Sequence, residues 1–190
     1  MTMTGTARKA PAPKGIPVGS QAPDFALKDN HGRTVRLFDL RGGQGADGGV
    51  VGGPDGGVDG AQDSDGDGRN VVLVFYPFAF TGVCTGELHA LRDQLPSFVN
   101  DDTQLLAVST DSIHTLRIFA EQEDLEFPLL SDFWPHGETS RAYGIFDEEK
   151  GCALRGTFVI DKRGVVRWSV VNGLPDARDL DEYVKALAAL

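Results

Sequence analysis

The feature that most constrains this chain is the run Val71-Val-Leu-Val-Phe-Tyr76, closed by Pro77. Six consecutive apolar residues, mostly β-branched or aromatic, suit a strand buried on both faces of a sheet. Pro77 has no N–H to donate and ends it. A helical stripe follows, with Leu88, Leu91, Leu95 and Phe98 recurring at three to four residues. Stepping back four residues from Leu88 lands on Cys84. Pro96 falls inside the stripe and predicts a kink or an early end near Leu95.

Around this unit the pattern alternates. Phe25 and Leu27, the turn His31-Gly32, then Thr34, Val35 and Leu37 predict a hairpin. Leu105 to Val108 reads as a second buried strand. Asp111 or Ser112 can cap a helix whose apolar face is Ile113, Leu116 and Phe119 or Ala120. Phe127 to Leu130 suits a short strand, and Thr139 to Tyr143 one or two helical turns ended by Gly144. Thr157 to Ile160, the turn Asp161 to Gly164, and Val165 to Val171 predict an antiparallel hairpin. Pro175 and Asp176 open a last helix with Leu180, Tyr183, Val184 and Leu187 on one face. This order predicts a three-layer α/β domain: a mixed central β-sheet flanked by helices, with an N-terminal β-hairpin extension.

Residues 42–69 interrupt that domain. They hold 12 of the chain's 24 glycines, six aspartates and one base, Arg69. Their net charge of -5 is half of the total of -10. No periodicity runs through them, so they predict a disordered insert that cannot bury enough surface to offset its ordering entropy. Asp63-Ser-Asp65-Gly-Asp67-Gly68 resembles the opening of a calcium loop, but the closing glutamate is replaced by Val74, and a solvated acidic loop is the better reading. Residues 1–15 predict a flexible N-terminal arm, and 16–190 one domain apart from the insert. The acidic balance disfavours nucleic acid and anionic membranes as partners. No apolar run reaches the length of a membrane span. Arg8, Lys9 and Lys14 have no apolar stretch behind them, so no signal peptide is read and a cytoplasmic location is expected. The two cysteines, Cys84 and Cys152, cannot build a disulfide scaffold.

Cys84 carries the chemical signal. It sits just after a buried strand, at the start of a helix and on its inward face. Unpaired N–H groups and the helix dipole there favour a thiolate over a thiol. Thr81 stands where an N-cap hydroxyl is expected, and that hydroxyl can instead bond the sulfur or a substrate. Pro77, at the mouth of the turn, fixes the chain and shields one side of the sulfur. No second cysteine completes a C-x-x-C pair.

Pro77-Phe-Ala-Phe-Thr81-Gly-Val-Cys84 is similar to the P-x-x-x-T-x-x-C signature of the peroxiredoxins. Thr85-Gly-Glu87-Leu88, Gly19-Ser-Gln-Ala-Pro23-Asp-Phe25 and Arg155-Gly-Thr-Phe-Val-Ile-Asp161 also fit. Phe127-Pro-Leu-Leu-Ser-Asp-Phe-Trp-Pro-His-Gly137 most resembles the actinobacterial alkyl hydroperoxide reductase E (one-cysteine) subfamily. The resemblance covers residues 16 to 190 except the insert. It implies a thioredoxin-like fold and reduction of hydrogen peroxide or organic hydroperoxides, and a cofactor-free, thiol-dependent peroxidase is expected. Cys84 then matches the peroxidatic cysteine, Thr81 and Pro77 its pocket partners, and Arg155 the active-site arginine, with Glu87 as an arginine's network partner. The guanidinium keeps its proton and offers fixed donors to developing negative charge. Cys84 would become a sulfenic acid that a thiol must reduce.

The position five residues beyond Cys84, where many peroxiredoxins carry a resolving cysteine, is His89. Cys152 lies three residues before Arg155. If one strand runs through both, their side chains point to opposite faces, and a direct bridge between Cys84 and Cys152 needs rearrangement. A one-cysteine mechanism is expected. The resemblance implies an external reductant, a low-molecular-weight thiol or small redoxin such as mycothiol with a mycoredoxin, and a homodimer. The alternative is a peroxide-sensing switch or interaction protein on the same fold. His31, His89, His114 and His136 lack metal-ligand spacing and read as surface or loop residues. Phe133 and Trp134 suit core, pocket wall or dimer contact equally.

Overall fold

Val71 to Phe75 are each at most 1% exposed, because their strand lies inside a seven-stranded sheet. The computed structural model describes residues 14–41, 68–94, 96, 100–174 and 181–190. Several expectations lie outside the described residues: the arm up to residue 13, the segment 42–67 with its calcium-like aspartates, Leu95 and Phe98, and the Pro175-Asp176 helix start.

In chain order the elements are β1 (Ala26–Asp29), β2 (Thr34–Arg36), α1 (Leu37–Leu40), β3 (Asn70–Phe75), α2 (Gly82–Asp93), β4 (Thr103–Ser109) and α3 (Ile113–Glu123). Then follow β5 (Leu129–Ser131), α4 (Glu138–Ala142), β6 (Phe146–Asp147), β7 (Cys152–Ala153), β8 (Arg155–Ile160), β9 (Val166–Asn172) and α5 (Asp181–Leu187). The sheet order is β2-β1-β5-β4-β3-β8-β9, with β6 and β7 forming a small separate sheet. β3, β4 and β5 are parallel, with α2 and α3 in their connections. The remaining pairings are antiparallel, so the sheet is mixed. The β1–β2 hairpin is its edge, joined through β5.

Strand alternation splits the apolar run between two cores. Val72, Val74 and Tyr76 pack with Cys84, Leu88 and Leu91 of α2 and with Leu116 and Phe119 of α3. Val71, Leu73 and Phe75 pack on the other face with Phe25, Leu37, Tyr143 and Ile145. There Phe75, Tyr143 and Phe158 form an aromatic triad with centroids 5.0 to 5.9 Å apart. Burying each large side chain contributes about 1.5–3 kcal/mol.

α2 ends at Asp93, ahead of Pro96, as the proline demands. Ser112, not Asp111, caps α3, its hydroxyl accepting from Thr115 N–H at 3.3 Å. Two features differ from expectation. α1 is a single turn with no sequence period. Cys152 and Arg155 do not share a strand: Cys152 pairs with Asp147 in the small sheet, and Arg155 opens β8 in the large one. The parity argument about their side chains therefore does not apply, and both are buried.

Candidate active site

β3 has β4 parallel on one side and β8 antiparallel on the other. The chain leaves its C-terminal end at a switch point of the sheet, where a crevice is expected. Because β8 runs the opposite way, its first residue, Arg155, lies at that same end. Arg155 shares a strand face with Thr157, which is registered against Val74, so both point to the α2 side. Gly156 beside it has a packing reason: a Cβ there would stand 2.8 Å from Ile145 Cδ1.

Pro77 is buried at the head of the turn from β3 to α2. Phe80 takes a left-handed conformation, φ 61°, unusual for a bulky residue, and its ring lies 4.9 Å from that of Phe119. Thr81 is the N-cap residue of α2, but its hydroxyl does not cap the helix. It donates to the Phe78 carbonyl at 3.0 Å, inside the turn. The first helical bond runs from Thr85 N–H to the Thr81 carbonyl, so the amides of Gly82, Val83 and Cys84 have no acceptor within the helix.

Cys84 is 1% exposed and lies in that first turn. Glu87, on the same face one turn later, forms a buried ion pair with Arg155 Nη1. The guanidinium is fixed a second time, Nε donating to the Leu174 carbonyl at 2.7 Å. The structure thus brings Pro77, Thr81, Cys84, Glu87 and Arg155 to one end of β3.

Tyr76 and Asp111 complete the surroundings, and the sequence did not mark either as functional. The Tyr76 hydroxyl is fully buried, with the Ser109 side chain beside it. Burial pushes its phenol far up, and the charges of Asp111 and Cys84 add to this against an opposing influence of Ser109. Tyr76 is therefore a neutral wall.

Cys152 is fully buried in β7. Burial, with the Asp147 carboxylate adding and Lys150 opposing, pushes its thiol up to about 11. It stays protonated and a poor nucleophile at neutral pH. His89 lies on α2 and not in a loop; its side chain is 35% exposed, and its Nε2 lies 2.8 Å from Glu123 Oε2 in α3. Phe133 and Trp134 are exposed, which removes the core reading. Among the described residues, no three His, Cys, Asp or Glu side chains are grouped to hold a metal, and no helix is long and apolar enough to cross a membrane. A cleft of about 760 Å³ opens at the opposite end of β3, beside Asn70, Lys162, Arg167 and Trp168, and the Pro77–Glu87 segment does not line it.

A family model described as the AhpC/TSA family matches residues 55–169. The alkyl hydroperoxide reductase E of Mycobacterium tuberculosis (strain ATCC 25618 / H37Rv) is 45% identical over 173 residues, which span 91% of this chain and 97% of that protein. The chloroplastic 2-Cys peroxiredoxin BAS1 of Hordeum vulgare is 33% identical over 183 residues, 91% of this chain and 74% of its own. Among solved structures, reduced Plasmodium vivax 2-Cys peroxiredoxin matches with a TM-score of 0.71 at 26% identity, covering 90% of this chain and 80% of that one. Peroxidoxin BcpB from Mycobacterium tuberculosis matches with a TM-score of 0.68 at 27% identity, covering 94% and 98%.

Fold and relatives define a thioredoxin-like α/β enzyme that reduces peroxides with electrons from thiols. The chain belongs to the AhpC/TSA family, the peroxiredoxins, and within it to the alkyl hydroperoxide reductase E subfamily.

Proposed function

We propose that Cys84 performs the peroxidase reaction as a thiolate and is recycled by an external thiol, without Cys152. The observation that carries this is the position of Cys84: buried in the first turn of α2, under the Pro77 turn, one helical turn from Glu87, whose carboxylate pairs with an arginine held at two points.

The sulfur attacks one peroxide oxygen, the O–O bond breaks, and the second oxygen leaves with the electron pair and takes up a proton. Cys84 becomes a sulfenic acid. The amides at the start of α2, which have no acceptor within the helix, and the Arg155 guanidinium are fixed donors for the charge that develops on the departing oxygen. Glu87 orients Arg155. Thr81 turns its hydroxyl from the Phe78 carbonyl toward the bound peroxide, and Pro77 keeps water from one side of the sulfur. One thiol then displaces water from the sulfenic acid to give a mixed disulfide. A second thiol releases Cys84 and carries the disulfide away.

A low-molecular-weight thiol or a small redoxin fits this route, because the position five beyond Cys84 holds His89 and Cys152 is buried and protonated. In this reading the enzyme works in the cytoplasm, the compartment expected from its N-terminal sequence, and as a homodimer, as its subfamily resemblance implies. Steady-state peroxide consumption with a small thiol tests the proposal. Wild type and Cys152→Ser should turn over alike, and Cys84→Ser should be inactive. One equivalent consumed without recycling would instead support a peroxide sensor.

A further inference from the structure

Asp111 lies outside the signature motifs, yet it ties the active-site turn to the sheet. Its Oδ2 accepts from the Ala79 N–H at 2.8 Å and from Ser109 Oγ at 2.9 Å. Its own amide donates to Ser109 Oγ at 3.3 Å, and its carbonyl accepts from Ser131 Oγ of β5 at 2.6 Å. The carboxylate is therefore preset by β4 and β5, 32 residues from the amide it holds.

That amide belongs to a buried residue in the middle of the Pro77–Cys84 turn. The next residue, Phe80, is left-handed, a conformation that persists only when its surroundings impose it. Without Asp111 the Ala79 N–H would be a buried donor lacking an acceptor, and the turn would relax to find one.

We propose that Asp111 is a positioning residue for the peroxidatic cysteine, its carboxylate oxygen holding the Ala79 amide so that the Pro77–Cys84 turn presents Thr81 and Cys84 together. The proposal rests on the reading of Cys84 as the attacking sulfur. Asp111 acts through the acceptor and not through its charge, since a negative charge close to a thiolate opposes it. Asparagine, with a neutral oxygen in the same place, should therefore substitute.

Rapid-quench intact mass measures the rate at which one equivalent of hydrogen peroxide oxidises Cys84. Asp111→Ala should slow it by about 10- to 100-fold, the scale expected when a reacting group is misplaced by about an ångström. Asp111→Asn should stay within about threefold of wild type, because the amide keeps its acceptor. Hydrogen exchange at the Ala79 amide should speed up in Asp111→Ala and not in Asp111→Asn. Ser109→Ala keeps the carboxylate but frees it to turn. It should give an intermediate rate and intermediate exchange, and it serves as the readout if Asp111→Ala does not fold. Wild-type rates in both Asp111→Ala and Ser109→Ala, or an equal loss in Asp111→Asn and Asp111→Ala, would overturn the proposal. If the wild-type chain shows rapid oxidation that survives Cys84→Ser, the reading of Cys84 falls, and the positioning role with it.

Discussion

Arg155, the first residue of β8, and Glu87, one turn beyond Cys84 in α2, meet as a buried ion pair across 68 residues of chain. The side chains are 3% and 6% exposed, so neither charge can turn to water if its partner is lost. Removing one member of such a pair costs about 3–5 kcal/mol. Glu87→Ala should therefore lower unfolding stability by that order and slow Cys84 oxidation together. Arg155→Lys keeps the charge but loses the planar fork that serves both Glu87 and the Leu174 carbonyl. It should slow oxidation by about 10²-fold, the scale of losing one preorganised donor, with a smaller loss of stability. Denaturant titration and stopped-flow oxidation separate the two effects. An Arg155→Lys enzyme of wild-type rate would remove the arginine from the chemistry.

The Thr81 hydroxyl donates to the Phe78 carbonyl within the turn and does not cap α2. Thr81→Ser keeps this donor and should react within a few-fold of wild type. Thr81→Val removes it and should slow Cys84 oxidation by about 10²-fold, as loss of a transition-state donor does. Helix content by circular dichroism should be unchanged in both, because no helical bond depends on the side chain.

Cys152 supplies a prediction at high pH. Burial raises its thiol from 9.0 to about 11. Between those values the unfolded chain has released a proton that the folded chain still holds, so stability falls as pH rises through this window. Cys152→Ala should flatten that decline, measured as the denaturation midpoint between pH 8 and pH 11. In a Cys84→Ser background, Cys152 should resist alkylation at pH 7 until the protein is unfolded.

The Arg69 N–H donates to the Leu40 carbonyl at 2.7 Å, so the chain on either side of residues 42–67 is already close. Strands from before and after this segment lie in one sheet. Replacing 42–67 by a short glycine–serine linker should preserve folding and peroxidase activity, since closure entropy changes little with loop length. Loss of folding in the shortened chain would show the segment to be structural.

What was legible in the sequence depended on the range of the signal. Val71 to Tyr76 announced a doubly buried strand because every residue of it is apolar, and Leu88 and Leu91 placed Cys84 on the inner face of α2 by local period. The position of Arg155 follows from the direction of β8 relative to β3, which no period encodes. It was reached through the resemblance of the Arg155–Asp161 block. Asp111 was hidden because Asp and Ser in succession both suit an N-cap. Only the Ala79 amide on a distant turn decides between them. The His89–Glu123 pair is hidden for the same reason, Glu123 standing on another helix. β6 and β7, two residues each, are too short to carry a period, so no sequence signal separates the strand of Cys152 from the one that Arg155 opens.

Intact mass after one equivalent of hydrogen peroxide, taken on wild type, Cys84→Ser and Cys152→Ser, tests the central claim most directly. A gain of one oxygen in wild type and Cys152→Ser, and no rapid change in Cys84→Ser, is the expected result. A loss of two hydrogens in wild type, absent from both variants, would mean a Cys84–Cys152 disulfide and would contradict the one-cysteine route.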